Sequence, residues 1–377
     1  MNTFKLIGLT SFFVGMAMLN ACSNDDEILS SESDSMTVTS VTDKSALDFV
    51  AMLTPEQQAN IDKCGEAFLP KQQKNSWNAV VDGDIPTNWG WFDSPIKKIK
   101  EEGSRAVGIG GAYPAQYWSM IRLKNDKLPD RILDAMVATV EIMESQTNIR
   151  FYNSTHDDKS FTVGGITIEY PNLKVNMLKN STDVEGTGSF GLVGGEQYIY
   201  VPNELTDRTK YSDEEVIAFF LHAFCNAAGM FNEQQRADRD NYVQILDANI
   251  KESCKVCFNK QTSNYQMLGA FDYSSVTLAS SKSYSKNGQN TILKKGGGEI
   301  AKNLNLSTLD KNFLNGCYLP YIARTDNYVE LDTPVYTSNG TQLSEAERIQ
   351  LQNQLNAQRG LYGTPPANGR IEREAWQ

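Results

Sequence analysis

The side chains best suited to metal or acid–base chemistry are few: the 377 residues contain two histidines, His156 and His222. No set of three imidazoles of the kind that holds catalytic zinc can be assembled from them. Cys225 follows His222 by three residues, so on a helix the thiol and the imidazole share a face. Such a pair is the start of a thiol nucleophile, but it also needs an orienting partner and oxyanion donors, and none is identifiable in the sequence. Cys254 and Cys257 form a CxxC without the second pair that a four-cysteine zinc site requires. The strand-to-helix setting of a redox dithiol is not evident either, so these two read as a local disulfide or as inert thiols.

The elements that must position these residues can be read from periodicity. Ile132, Met136, Val140 and Met143 put one apolar stripe on a helix that starts at Pro129 or Asp130 and runs to about Asn148. Between Ile149 and Pro202 the chain alternates and breaks at glycines, predicting strands at Ile166–Ile168, Leu173–Leu178 and Tyr198–Val201. A second helix begins at Ser212, where Ser212-Asp213-Glu214-Glu215 has the pattern of a capping box, and it ends at Gly229. Its apolar residues lie nearly all round, which predicts a buried central helix carrying His222. Ser344–Gln358 reads as a surface helix in an otherwise polar C-terminal tail.

The stretch from His222 through Gly229 and Glu233 to Arg236, Asp238, Arg239, Asp240, Tyr242 and Val243 resembles, in order and spacing, the signature HExxHxxGxxHExxRxDRD of astacin-type zinc peptidases. In that family two histidines one turn apart and a third beyond the glycine hold zinc. Here the framework positions are filled and the chemical ones are not. Ala223 stands where the resemblance places the general-base glutamate. His222 keeps the first ligand position, with Asn226 and Asn232 at the second and third. An amide oxygen is a hard, weak, neutral donor, and an alanine cannot take a proton from water.

Phe271-Asp272-Tyr273-Ser274-Ser275-Val276-Thr277-Leu278-Ala279 is similar to the family's Met-turn, with Thr277 in place of the methionine, Leu278 of a histidine and Ala279 of the tyrosine that assists catalysis. Ile149-Arg150-Phe151 and the segment ending at Asn315-Gly316-Cys317-Tyr318 resemble further family landmarks; Asn148 stands where the first carries a cysteine, so the family's disulfide pattern is not kept. Asp82-Gly83-Asp84-Ile85 is similar to the Gly-Asp of the prosegment, which would make Asp84 a latency switch.

The resemblance implies an α+β, zincin-like (astacin-like) two-part domain over residues 105–318, with a long central helix under a mixed sheet and the turn at Asp272–Thr277 beneath it. His222, Asn226, Asn232 and Thr277 would then line a polar floor without metal. Residues 46–104 would be a prosegment-like extension and 319–377 a polar tail.

Residues 1–21 read as a signal peptide: Lys5 precedes the apolar run Leu6–Leu19, and Leu19-Asn20-Ala21-Cys22 resembles a bacterial lipobox with Cys22 as the lipidated residue. Residues 22–45 are too polar to pack and form a flexible tether. The expected location is the outer membrane, facing the periplasm or the cell surface, with the lipid anchor as the membrane contact. A formal net charge of -11 without a basic block argues against nucleic acid as a partner.

Three functions follow for test. The first is a catalytically inactive module that binds a peptide or protein in the remnant cleft, with no cofactor. The second is a divergent metalloendopeptidase with an atypical site, in which case zinc returns. The third is an envelope structural lipoprotein.

Overall fold

The computed structural model describes residues 106–109, 118–125, 127–158, 160–163, 166–178, 187–188, 191–192, 196–261, 265–268 and 271–376. Cys22, Cys64 and Asp84 lie outside them, as do the signal peptide, the tether and the extension up to residue 104.

The fold is α+β. Strand β1 (Ala106–Ile109) precedes β2 (Ile121–Asn125), helix α1 (Asp130–Gln146) and β3 (Phe151–Asn153). Then come β4 (Ser160–Val163), β5 (Ile166–Glu169), β6 (Asn172–Leu178), β7 (Thr187–Gly188) and β8 (Glu196–Pro202). The main sheet has the order β3-β2-β6-β8-β7, parallel except for β7, so it is mixed as expected.

Two details differ from the sequence reading. The strand at Ile166 leaves the main sheet and pairs with β4 as a separate antiparallel hairpin. The sheet instead recruits β2, whose Arg122 and Lys124 hide its strand character but are buried. Arg122 is accommodated by Asp157 at 2.6 Å and Asn172 at 3.2 Å, between the rings of Tyr152 and Tyr170.

Helix α2 (Asp213–Ala227) crosses this sheet, with Phe224 against Phe151 at a ring separation of 4.9 Å. Its capping box forms as predicted: Glu215 N–H donates to Ser212 Oγ, and Ser212 N–H to Glu215 Oε2. At the far end Gly229 adopts φ 93°, Gly229 N–H donates to the Asn226 carbonyl and Met230 N–H to the Cys225 carbonyl, a Schellman closure that needs the glycine. Trp118 and Tyr318 donate to the next free carbonyls, of Ala227 and Ala228. The turn that returns the chain is thus held from three directions.

Two apolar cores form. One joins the sheet, α1, α2 and α3 (Thr308–Cys317); the other gathers Val243, Ile250, Phe258, Phe271, Leu278, Tyr284 and Ile292. The second contains the short pair β9 (Val243–Ile245) and β11 (Ile292–Lys294), while β10 (Tyr265–Leu268) pairs with β1.

The closing stretch is packed, in contrast to the trailing tail read from its polarity. Leu319, Tyr321, Val329, Leu331 and Val335 enter the first core, as do Leu351 and Leu355 of α4 (Glu345–Gln358). Asn148 replaces the missing cysteine as a clamp: its Nδ2 donates to the carbonyls of Asn315, Tyr318 and Tyr336, and its Oδ1 accepts from Tyr336 N–H. Among the described residues no helix is long and apolar enough to cross a membrane.

Candidate functional site

Helix α2 and the glycine turn bring His222, Asn226 and Asn232 together. Asn226 Nδ2 donates to the Met230 carbonyl at 2.8 Å and to Asn232 Oδ1 at 3.2 Å. The backbone carbonyl can only accept, so it fixes which way the Asn226 amide points, and the Asn232 atom facing it must be the oxygen. His222 Nε2 lies 2.8 Å from that same oxygen. Nε2 therefore carries the proton and donates. Burial holds the imidazole below its ordinary pKa, a drop partly offset by the bond to Asn232. The three positions form a neutral relay that ends on backbone.

This donor set does not fit the zinc that the resemblance implies. Zinc takes lone pairs from imidazole, thiolate or carboxylate; here the inward imidazole nitrogen presents a proton, one amide faces inward through its nitrogen, and the only oxygen is shared by two donors. Among the described residues no group of three or more His, Cys, Asp and Glu converges as a metal site.

Directly after this relay the chain becomes highly charged and buried. Glu233 Oε1 accepts from Asp272 N–H at 2.8 Å and lies 3.6 Å from Arg236, which is fully buried and bidentate to Asp238. Burial drives the Glu233 carboxyl up to about 8 against the pull of Arg236. Asp310 of α3 accepts from Ser275 Oγ and from the N–H groups of Val276 and Ser307; burial still raises it to about 6. These acids fasten the turn Asp272–Thr277 from both sides. Sequence reasoning identified the turn but not Asp310, whose only signal was the Ser-x-x-Asp at Ser307 that caps α3.

A cleft of about 460 Å³ opens between the two cores. His222 and Ala223 form part of its wall on the α2 side, and Leu278 and Ala279 on the other. Asn226, Asn232 and Thr277 do not reach it: all three are buried behind the wall. The expected four-residue polar floor is therefore a single imidazole backed by amides. Thr277 bonds to Ser275 and to the Phe231 carbonyl. Ala279 offers no hydroxyl, and its N–H donates to Gln234 Oε1 at 3.0 Å.

Cys225 does not partner His222 as a nucleophile. It is fully buried in the first core, and burial raises its thiol well above the ordinary value, the reverse of what a reactive thiolate needs. Cys254 and Cys257 are not joined to one another in the structure.

The arrangement is that of an astacin-like zincin frame. Residues 171–319 match the model of the Astacin peptidase family. The astacin-like metalloendopeptidase of Mus musculus is 36% identical over 265 residues, 68% of this chain and 53% of its own length. Zinc metalloproteinase nas-15 of Caenorhabditis elegans is 38% identical over 103 residues, 26% of this chain and 18% of its own. The matches thus span between about a fifth and about half of these relatives. Among solved structures, High choriolytic enzyme 1, a hatching enzyme zinc-protease from Oryzias latipes, is 21% identical, with a TM-score of 0.41, over 54% of this chain and 90% of that one. The family model and the relatives support the astacin family for the stretch that carries the site.

Proposed function

We propose that this chain is a catalytically silent astacin-like module that binds a peptide or protein segment in its cleft without metal. One observation carries the reading: at the ligand positions, the imidazole nitrogen that would face a metal donates a proton to Asn232, and Asn232 is held in turn by Asn226 and the Met230 carbonyl. Such a relay is internally satisfied, so it loses hydrogen bonds if a cation enters. Ala223 supplies no base and Ala279 no phenol beside the cleft. What remains is a groove between the two cores, a shape that suits an extended chain.

In the same proposal the module is an outer-membrane lipoprotein anchored through Cys22 and facing the periplasm or the cell surface. Mass spectrometry of the N-terminal peptide is expected to find diacylglycerol on Cys22; an unmodified N-terminus elsewhere removes the anchor.

The decisive test is metal stoichiometry. Purified protein dialysed against micromolar zinc is expected to retain less than a stoichiometric amount. The double variant Asn226→His with Asn232→His is expected to bind zinc more tightly while still failing to cleave casein, because Ala223 cannot activate water. Stoichiometric zinc in the unaltered protein, or casein cleavage abolished by His222→Ala, establishes the divergent metalloendopeptidase instead.

A further inference from the structure

The 3-10 helix Glu252–Phe258 carries both cysteines of the CxxC. In that helix type, residues three apart eclipse one another and rise about 2.0 Å each, so the Cys254 and Cys257 side chains share one face with Cα atoms about 6 Å apart. That separation lies inside the range a disulfide spans. Cys254 is buried and Cys257 half-buried, which gives an outer thiol that solvent reaches and an inner one to resolve it.

The same helix is wired to the relay. Gln235 Nε2 donates to the Val256 carbonyl at 3.3 Å, while its Oε1 accepts from Asn232 N–H at 3.3 Å. Gln234 Nε2 donates to the Cys257 carbonyl at 3.2 Å, while its Oε1 accepts from Ala279 N–H at 3.0 Å. Each glutamine is a two-ended strut from the CxxC helix, Gln234 to the cleft wall at Ala279 and Gln235 to Asn232 behind the opposite wall. The Val256–Cys257 peptide lies inside the ring that a Cys254–Cys257 disulfide would close, so ring closure acts directly on the carbonyl that holds Gln235.

We infer that Cys254 and Cys257 are a thiol–disulfide exchange site whose state is transmitted by Gln234 and Gln235 to Asn232, His222 and Ala279. The co-reactant is a small or protein disulfide, RSSR. The Cys257 thiolate attacks one of its sulfurs and expels RS⁻; the Cys254 thiolate then displaces the second RS⁻. The pair gives up two electrons, RSSR takes them, and both thiol protons leave in two RSH. The inference stands whether or not a peptide occupies the cleft.

With two histidines in the chain, the imidazole Cε1–H resonances report this cleanly. His222 is in the relay, and His156 is remote and exposed, bonded to Glu374. Full-length reduced protein treated with glutathione disulfide is expected to yield a Cys254–Cys257 bond in peptide mapping, to move the His222 resonance and to leave that of His156 in place. Cys225 and Cys317, both in the core, should remain thiols. Cys257→Ser should abolish the bond and the shift together, and Gln235→Ala should keep the bond while losing most of the shift. Failure of glutathione disulfide to form the bond, or a bond that leaves the His222 resonance unmoved, overturns the inference.

Discussion

Two polar clusters adjoin where α2 ends and the chain turns back, and they are built on opposite electrostatic plans. His222, Asn226 and Asn232 form a neutral relay of three side chains. Glu233, Arg236, Asp238, Asp272 and Asp310 form a buried ionisable cluster in which each acid holds backbone N–H groups, hydroxyls or a guanidinium. In the ionisable cluster Glu233, Arg236, Asp238 and Asp272 keep the residue types of the astacin pattern, whereas the neutral one keeps only His222. The physical difference explains this. A charge removed from a buried network strands its partners at large cost, whereas ligand positions that no longer face a cation can be made self-sufficient by amides.

The sharpest way to break the comparison is Asp310→Ala. Three donors, from Ser275, Val276 and Ser307, lose their acceptor, at roughly 1–3 kcal/mol each for buried groups. Chemical denaturation should show a loss of at least about 3 kcal/mol, the sum at the low end of that range. A loss no larger than that of a relay mutant would erase the distinction between the clusters.

The pH dependence of stability comes next. Glu233 rises from 4.5 to about 8 on folding and Asp310 from 3.8 to about 6, so the native state holds protons that the unfolded chain releases. Their stabilising contribution is complete below the unfolded values and is lost as pH rises, through about 6 for Asp310 and about 8 for Glu233. Stability of the unaltered protein should therefore fall across that window, and Glu233→Gln should flatten the upper part of the fall. A denaturation midpoint independent of pH between those values contradicts the assignment.

Asn232→Ala removes the acceptor shared by His222 and Asn226 and should cost about 1–3 kcal/mol. It should also lower the His222 pKa further, since the bond to Asn232 is the larger of the two side-chain contacts that oppose burial; histidine titration by NMR reads this directly. The smallest effect belongs to Ser307→Ala. It removes the cap of α3 and the Ser307 Oγ–H bond to Asp272, for about 1 kcal/mol.

Helix α2 was legible because every signal in it is local: a capping box at Ser212, an apolar body and a glycine at the C-terminal turn. So was α1, from the spacing of Ile132, Met136, Val140 and Met143. Strand β2 was not legible, because Arg122 and Lys124 are buried only by virtue of partners that lie 30 or more residues later. The packing of residues 319–376 was missed for a related reason: Leu319, Val329 and Leu331 are separated by polar residues that bond to distant backbone. At the site, the ligand positions could be found by spacing, but the direction of the Asn226 amide, which decides where the His222 proton sits, depends on the Met230 carbonyl and is set by the turn.

The Asn148 clamp has a consequence for how the chain is made. Its partners Asn315, Tyr318 and Tyr336 lie 167 to 188 residues downstream. The neighbouring Arg150 waits equally long for Asp332, and Asn153 for the carbonyl of Ala375. During vectorial synthesis the amino-terminal half therefore emerges with an Arg150 guanidinium that has its local carbonyls, of Glu144, Thr147 and Ile149, but not its carboxylate, and with an Asn148 amide whose protein partners are still to come. The described body therefore closes only once the residues up to Ala375 have been made, and a nascent chain stalled before Asp332 is expected to be a substrate for chaperones and proteases rather than a smaller version of the protein.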